Sequence, residues 1–374
     1  MQIYKDIQLC TGCSNCANIC PKKCVSMQSD DKGFLYPIVD TSLCINCLKC
    51  QSVCPTYAKA SNPSIPKLYA YTNSDEETLI KCSSGGAFGS IAEKIISVGG
   101  YVCGAIWTTD FSVKHIITNK LQEIKKMYGS KYLQSDLNNC FVQIKSLLED
   151  SKTVLFCGAP CQVLALKNFL QRDYQNLLTI DFICHSIPSP KIFKAYKNSL
   201  EKSNGRLSSF HFRDKTHGWE NYSLCAEFEN KKELYPHKGN LYMELFLDGI
   251  ITRECCASCP VKTITGYASD ITLGDFWGAK TLCPELYNEN GVSAIITHTQ
   301  NGKDYIKHLT TNECDFDSFI KINSAYNTPH LINEKASLFW RLFNKYGLKK
   351  AGKQIYKKSF LIRLKTAIKK FFKF

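Results

Sequence analysis

Two cysteine runs constrain this chain more than any other feature. The first holds Cys10, Cys13, Cys16 and Cys20 before Pro21, and the second holds Cys44, Cys47, Cys50 and Cys54 before Pro55. Both have the spacing C-x2-C-x2-C-x3-C-P. A tight loop with two residues between thiolates can wrap one iron–sulfur cube, while the proline-ended turn sends the fourth thiolate away from it. Zinc ribbons instead place two ligands on each knuckle, not three plus one. A disulfide scaffold fits less well still, because the start at Met1 to Asp6 has no basic and then apolar leader pattern. The expectation is metal thiolates in a reducing compartment.

The double run is similar to that of bacterial two-cluster ferredoxins, in which the fourth cysteine of each run reaches across to the other cluster. That resemblance implies one [4Fe–4S] cluster on Cys10, Cys13, Cys16 and Cys54, and a second on Cys44, Cys47, Cys50 and Cys20. Between the runs, Gly33 to Asp40 looks like the β-arm common in such domains.

A chain of 374 residues has room for two or three compact domains. Its 21 cysteines are far more than packing needs, and eight belong to the double run. No stretch approaches 18 uninterrupted apolar residues, so no membrane span is expected; with thiolates that need a reducing compartment, the expected location is cytoplasmic, either free or peripheral at the inner face of the membrane. The net charge of +14 is concentrated in the tail: residues 345–374 carry eleven Lys or Arg and no acid, which leaves 36 basic against 33 acidic groups elsewhere. Nucleic acid is a poor partner for the rest, which has no basic and aromatic platform.

Pro63 and Pro66 mark a linker, so a boundary near residue 65 is expected. Beyond it, residues 68–72 alternate as a strand, and residues 81–97 read as cap residues followed by an apolar-periodic helix. Gly85, Gly86 and Gly89 fit neither a dinucleotide nor a P-loop fingerprint, which leaves an anion site or close helix packing as readings. Residues 101–107 and 113–118 read as strands, and 138–149 as a helix. From residue 153 the pattern becomes strand, loop, helix, with strands at 154–157 and 177–183 and a helix at 162–170. This predicts an α+β or α/β fold with a mainly parallel sheet and loops gathered at the carboxyl ends of its strands. Cys161 and Cys184 both lie just past such ends. Together with the C-x2-C of Cys256 and Cys259 they supply four thiolates for a third [4Fe–4S] cluster. Nine cysteines remain for packing: Cys24, Cys82, Cys103, Cys140, Cys157, Cys225, Cys255, Cys283 and Cys314.

Six stretches together resemble the coenzyme F420 hydrogenase/dehydrogenase beta-subunit family, in the family's order. They are Lys81 to Phe88, Gly129 to Ser135, Gly158 to Gln162, Cys184 to Ser189, Phe212 to Lys215 with Gly218 and Trp219, and Ser269 to Gly278. The resemblance implies a dicluster domain at 1–62, the family's N-terminal and C-terminal domains at 66–152 and 153–330, and a tail at 331–374. It also implies FAD beside the clusters. Ser83, Ser84, Gly85 and Gly86, with Ser130, Lys131, Tyr132 and Gln134, would lie at the flavin. Lys131 would hold the pyrophosphate or the charge of reduced flavin, unless it is a solvated lysine. His185 would donate to a cluster sulfur or to substrate, unless it is a satisfied polar group. Asp275, Trp219 and Trp277 match family motifs but read equally as core, and His217 as a surface turn. Ser186 stands where members commonly have Gly, and Tyr267 and Ala268 stand where a basic residue is expected just before Ser269. Those two departures weigh against deazaflavin use.

Two functions of different class follow. One is a flavin-dependent oxidoreductase passing electrons between clusters and a small organic substrate or hydride-carrying coenzyme. The other is an electron-transfer subunit that conducts to a partner, ferredoxin or another subunit. In the tail, Phe360, Leu364, Ile368 and Phe372 share one face of a basic helix, suited to a membrane surface, an acidic partner or the chain's own body.

Overall fold

The computed structural model describes residues 3–57 and 65–356. The helix proposed for residues 359–374 lies outside them. In the dicluster domain, β1 (Val25–Ser29) and β2 (Leu35–Val39) form an antiparallel hairpin, the arm expected between the two runs. Short helices Asn15–Ile19 and Lys49–Ser52 carry the third cysteine of each run, Cys16 and Cys50.

The body is built on one nine-stranded sheet of β3 (Lys67–Tyr71), β4 (Tyr101–Trp107), β5 (Val113–Thr118), β6 (Ser135–Asp136), β7 (Val154–Cys157), β8 (Leu177–Phe182), β12 (Ile271–Asp275), β13 (Ser293–Thr297) and β14 (Asn312–Cys314). Its order is β14-β3-β13-β12-β8-β7-β4-β5-β6. The four central strands β12, β8, β7 and β4 are parallel, β13, β3 and β14 on one side run antiparallel to their neighbours, and on the other side β5 is antiparallel to β4 but parallel to β6. The sheet is therefore mixed, parallel at its centre and again at the β5–β6 edge. Strands from both sides of residue 152 share it, so that boundary divides no separate body.

One face of the sheet is covered by helix Ala87–Ser97, whose Ile91, Ala92 and Ile95 pack on Leu155, Leu178 and Ile295. The other face is covered by Cys140–Glu149 and Pro160–Leu170, around Phe141, Phe156 and Leu166. Within 81–97 the structure has the Ser83 to Gly86 turn and then helix Ala87–Ser97, and a short helix that was not expected, Glu76–Lys81, precedes the turn. Gly85 is there for packing: a Cβ would lie 2.3 Å from the Tyr71 carbonyl and 2.5 Å from the Ser293 amide.

A second layer, not anticipated from the sequence, is the antiparallel sheet of β9 (Leu207–Asp214), β10 (Ser223–Phe228) and β11 (Lys231–Pro236). Helices Pro190–Asn204, Leu241–Leu247 and Ala336–Tyr346 pack against it. Phe339, Leu348, Ala351 and Ile355 are buried with Tyr242 and Leu245, so residues up to 356 belong to the body. Among the described residues no helix is long and apolar enough to cross a membrane.

Candidate redox site

Cys10, Cys13, Cys16 and Cys54 line one cavity of the dicluster domain, and Cys20, Cys44, Cys47 and Cys50 line a second. Each measures about 340 Å³ with its open mouth counted. Cys24 also lines the second cavity, its sulfur 3.4 Å from that of Cys20; the other eight fall into the two sets that crossed ligation requires. Thiols so placed have no comfortable charge state of their own. Burial pushes the Cys13 thiol up to about 12, and Cys10 and Cys16 also rise, burial being the main cause. A cluster's iron would replace those protons and make the thiolates ligands. Among the described residues no three His, Cys, Asp or Glu side chains converge as for one metal ion. A cube places its thiolates on separate corners around a space, which is the arrangement of the two cavities.

The cavities differ in surroundings. Cys10, Cys13 and Cys16 are buried. Cys47 is exposed, and around it Leu43, Ile45 and Leu48 are each more than half exposed. The buried set faces the body: Asn15 donates its amide to the carbonyls of Val53 at 2.7 Å and Ala165 at 2.9 Å, fastening the Cys16 helix to the helix that carries Cys161.

Cys161 opens the helix after β7, and Cys184 lies two residues past β8, both at carboxyl ends of the parallel strands. Residues 251–253 are stitched alongside 187–189, with the Arg253 amide bonded to the Ile187 carbonyl and the Ser189 amide to that of Ile251, both at 2.9 Å. That stitch brings Cys256 to the Cys184 loop, where its sulfur accepts from the Ile187 amide at 3.3 Å. Burial raises the Cys161 thiol strongly, and the charges of Cys255, Cys259, Cys184 and Cys13 act on it in the same direction. Burial likewise pushes Cys184 up to about 12, with Cys259 adding and Lys262 opposing. Cys184 thus neighbours Cys256 and Cys259, and Cys161 neighbours Cys184, Cys259 and also Cys255, a cysteine expected only to pack. His185 stacks on His330 with ring centres 3.8 Å apart and bonds through Nδ1 to Ser186, whose hydroxyl meets Thr252. Ser186 therefore acts as a tether for the His185 ring.

The residues expected at a flavin fall into two groups. Ser83 and Ser130 meet, hydroxyl to hydroxyl at 2.7 Å, and the Ser130 amide donates to Ser83. The Lys131 ammonium donates to the carbonyls of Met127, Tyr128 and Gly129 at 3.1–3.2 Å, and burial pulls its pKa down to about 7. Gln134 lies elsewhere: its amide oxygen accepts from the Leu35 amide at 3.1 Å and its nitrogen reaches the Thr11 carbonyl, so it clasps the dicluster domain. Two buried cations stand beside the first group. Lys215 donates to the carbonyls of Leu79 and Ser84, both at 2.7 Å, and to that of Asn290. Arg213 reaches the Tyr132 hydroxyl at 3.3 Å and pairs with Asp275, while Trp219 donates to Asp275 and stacks on Trp277 at 4.7 Å. The Nε–H of Arg213 is buried with no acceptor. Arg213 on β9 and Lys215 just past its end belong to the Phe212 to Lys215 stretch, and nothing in the local sequence marks either basic residue as buried. The Arg213 Nε–H, and the Lys131 ammonium if it left its three carbonyls, are the donors available here to an anionic, hydrogen-bond-accepting cofactor.

Residues 9–58 match the family model of the 4Fe-4S dicluster domain. Residues 151–317 match that of the coenzyme F420 hydrogenase/dehydrogenase beta subunit, C terminus. No curated protein matches the sequence. Thirteen chains of solved structures match (13), among them one from the xenon-derivatised F420-reducing [NiFe] hydrogenase complex of Methanosarcina barkeri. That chain is 13% identical, with a TM-score of 0.45 over 79% of this chain and 92% of its own length.

Proposed function

We propose that this chain, a member through residues 151–317 of the coenzyme F420 hydrogenase/dehydrogenase beta-subunit family behind a 4Fe-4S dicluster domain, is an iron–sulfur flavoprotein oxidoreductase. The observation that carries the reading is the succession of three cysteine sets. The set with exposed Cys47 is outermost, the buried Cys10 set follows, and the Cys161 set comes next, with Cys13 and Cys255 bridging the last gap. Such a series moves single electrons between the surface and the interior.

Bound FAD would supply the conversion between electron pairs and single electrons. Around it, Ser83 and Ser130 would fix the turn before helix Ala87–Ser97. Lys131 would turn its ammonium from the three carbonyls toward a phosphate or ring anion, and the Arg213 Nε–H would gain its missing acceptor. Asp275 holds Arg213 in place, and Lys215 holds the Ser84 carbonyl. His185, kept neutral by burial at a pKa of about 4 and oriented by Ser186, is suited to accept a hydrogen bond from a small organic substrate near Cys184. A redox partner, ferredoxin or another subunit, would dock at the exposed face around Ile45 and Leu48.

An electron-transfer subunit without substrate chemistry accounts for that exposed face equally well. It leaves the buried donor set at Arg213 and Lys131 without a purpose. Anaerobic purification with iron, sulfide and flavin assays on one sample tests the choice. About twelve irons, four for each of three clusters, with one flavin are expected. About eight irons and no flavin after attempted reconstitution would favour the conducting subunit.

A further inference from the structure

We infer that Arg253 is a shared counter-charge between the inner dicluster site and the third cluster, raising the reduction potential of both; this rests on the three-cluster reading above. Its side chain is fully buried. The guanidinium donates Nε–H to the Cys10 carbonyl at 2.9 Å, one terminal nitrogen to the Leu35 carbonyl at 2.9 Å, and the other to Gln134 at 3.3 Å. The rings of Phe34 and Tyr36 flank it, with Tyr36 4.1 Å away.

A buried guanidinium ordinarily faces a carboxylate, since an uncompensated charge in the interior is costly. Among the described residues none of the ion pairs includes Arg253. Burial works against its charge. Cysteines of two different sites stand beside it: Cys10 of the inner dicluster cavity, whose carbonyl takes the Nε–H, and Cys255 and Cys256 of the third set, which follow it in the chain, the Cys256 amide donating to the Arg253 carbonyl at 3.1 Å.

The local backbone is shaped to admit this cation. Gly12, in the loop between Cys10 and Cys13, has φ +68, and a Cβ there would lie 2.4 Å from the Gln134 amide nitrogen, 2.7 Å from the Leu35 carbonyl and 3.1 Å from a guanidinium nitrogen. The glycine keeps the first cluster loop open to an arginine that lies 243 residues beyond Cys10 in the chain, between β11 and β12. A thiolate-bound cluster becomes more negative on reduction, and in a site shielded from water a fixed positive charge favours that state. One cation between two clusters therefore brings their potentials up together. The outer cluster, at exposed Cys47, shares none of the groups around Arg253. It serves as an internal control.

The test is a redox titration followed by electron paramagnetic resonance on the full, cluster-loaded chain, preceded by an iron count. The signal missing from Cys47→Ala identifies the outer cluster. Arg253→Met, neutral and of similar reach, should move two of the three midpoints to more negative values and leave the outer one in place. Arg253→Lys should recover most of that shift, because it restores charge without the fork. Gln134→Glu keeps Arg253 and places a carboxylate on its Nη, so it should lower the same two midpoints in a protein whose packing is nearly unchanged. Unmoved midpoints in Gln134→Glu, an equal shift of all three, or failure of Lys to recover the shift would each overturn the inference. A wild-type iron count of about eight would remove its premise instead, and the count separates that failure from an unmoved potential.

Discussion

Arg213 grips Asp275 through two parallel hydrogen bonds, Nη1 to Oδ2 at 2.9 Å and Nη2 to Oδ1 at 3.2 Å. The two side chains are only 5% and 16% exposed, and the pair joins the small sheet at the end of β9 to the large sheet at the end of β12. Trp219 adds a third bond, Nε1 to Oδ1 at 2.8 Å. Removing one partner leaves the other charged in a nearly dry site, which costs about 3–5 kcal/mol. Asp275→Asn is therefore expected to lower the denaturant midpoint sharply. Replacing Arg213 and Asp275 together by Met and Leu should cost less than either single change, and a double-mutant cycle in urea measures the difference.

Crossed ligation makes a prediction that a simple sequential assignment does not. Cys20 lies in the first run but lines the cavity of the second, and Cys54 does the reverse. Cys20→Ala should abolish the same spectroscopic signal as Cys47→Ala, and Cys54→Ala the same signal as Cys13→Ala. Each variant should lose about four irons per chain. If Cys20→Ala instead erased the signal lost in Cys13→Ala, the crossing would be wrong.

The Ser83 to Gly86 turn distinguishes packing from ligand binding. Gly85 presses its Cα onto the Tyr71 carbonyl and the Ser293 amide, so any side chain must push β3 and β13 away from the helix. Gly85→Ala is expected to destabilise by about 1–3 kcal/mol even without cofactor. Ser83→Ala removes only the clasp to Ser130 and should change stability by about 1 kcal/mol. On the flavin reading it weakens FAD retention more than it weakens the fold. Thermal melts with and without added FAD, on both variants, separate the two effects.

The parts of this molecule legible in its sequence are those whose spacing is itself the constraint. The double cysteine run fixes loops around two cavities whatever surrounds them. The strand and helix at 154–170 carry a hydrophobic pattern strong enough to read directly. The convergence of Cys161 with Cys184 followed from the rule that loops gather at the carboxyl ends of parallel strands. What escaped depends on contacts between distant segments. Gln134 sits five residues from Gly129 in a loop matched to the flavin, yet the path of that loop toward β6 turns its side chain to Leu35 and Arg253. Arg253 itself reads as an ordinary basic residue until its surroundings show it to be buried. The antiparallel strands at one side of the sheet escaped because β13 and β14 pair with β3 across more than 220 residues.

Lys131 gives a pH dependence with a definite sign. Its ammonium is enclosed by three carbonyls, and burial lowers its pKa from 10.5 to about 7, with Cys157 partly opposing. Between about pH 7 and 10.5 the unfolded chain holds this proton and the folded chain has shed it. The unfolded state then binds more protons, so the contribution of this group makes the fold more stable as pH rises across that window. Below it both states carry the proton, and the cost of burying the charge is felt in full. Lys131→Met removes the titration, so the urea midpoint of the variant should rise less steeply than that of the wild type between pH 7 and 9. An anion bound at the ammonium favours the charged form and moves the window upward. On the flavin reading, saturating FAD should therefore flatten the wild-type slope near pH 7 and leave that of Lys131→Met unchanged. A slope that ignores both the substitution and FAD would place Lys131 outside the cofactor site.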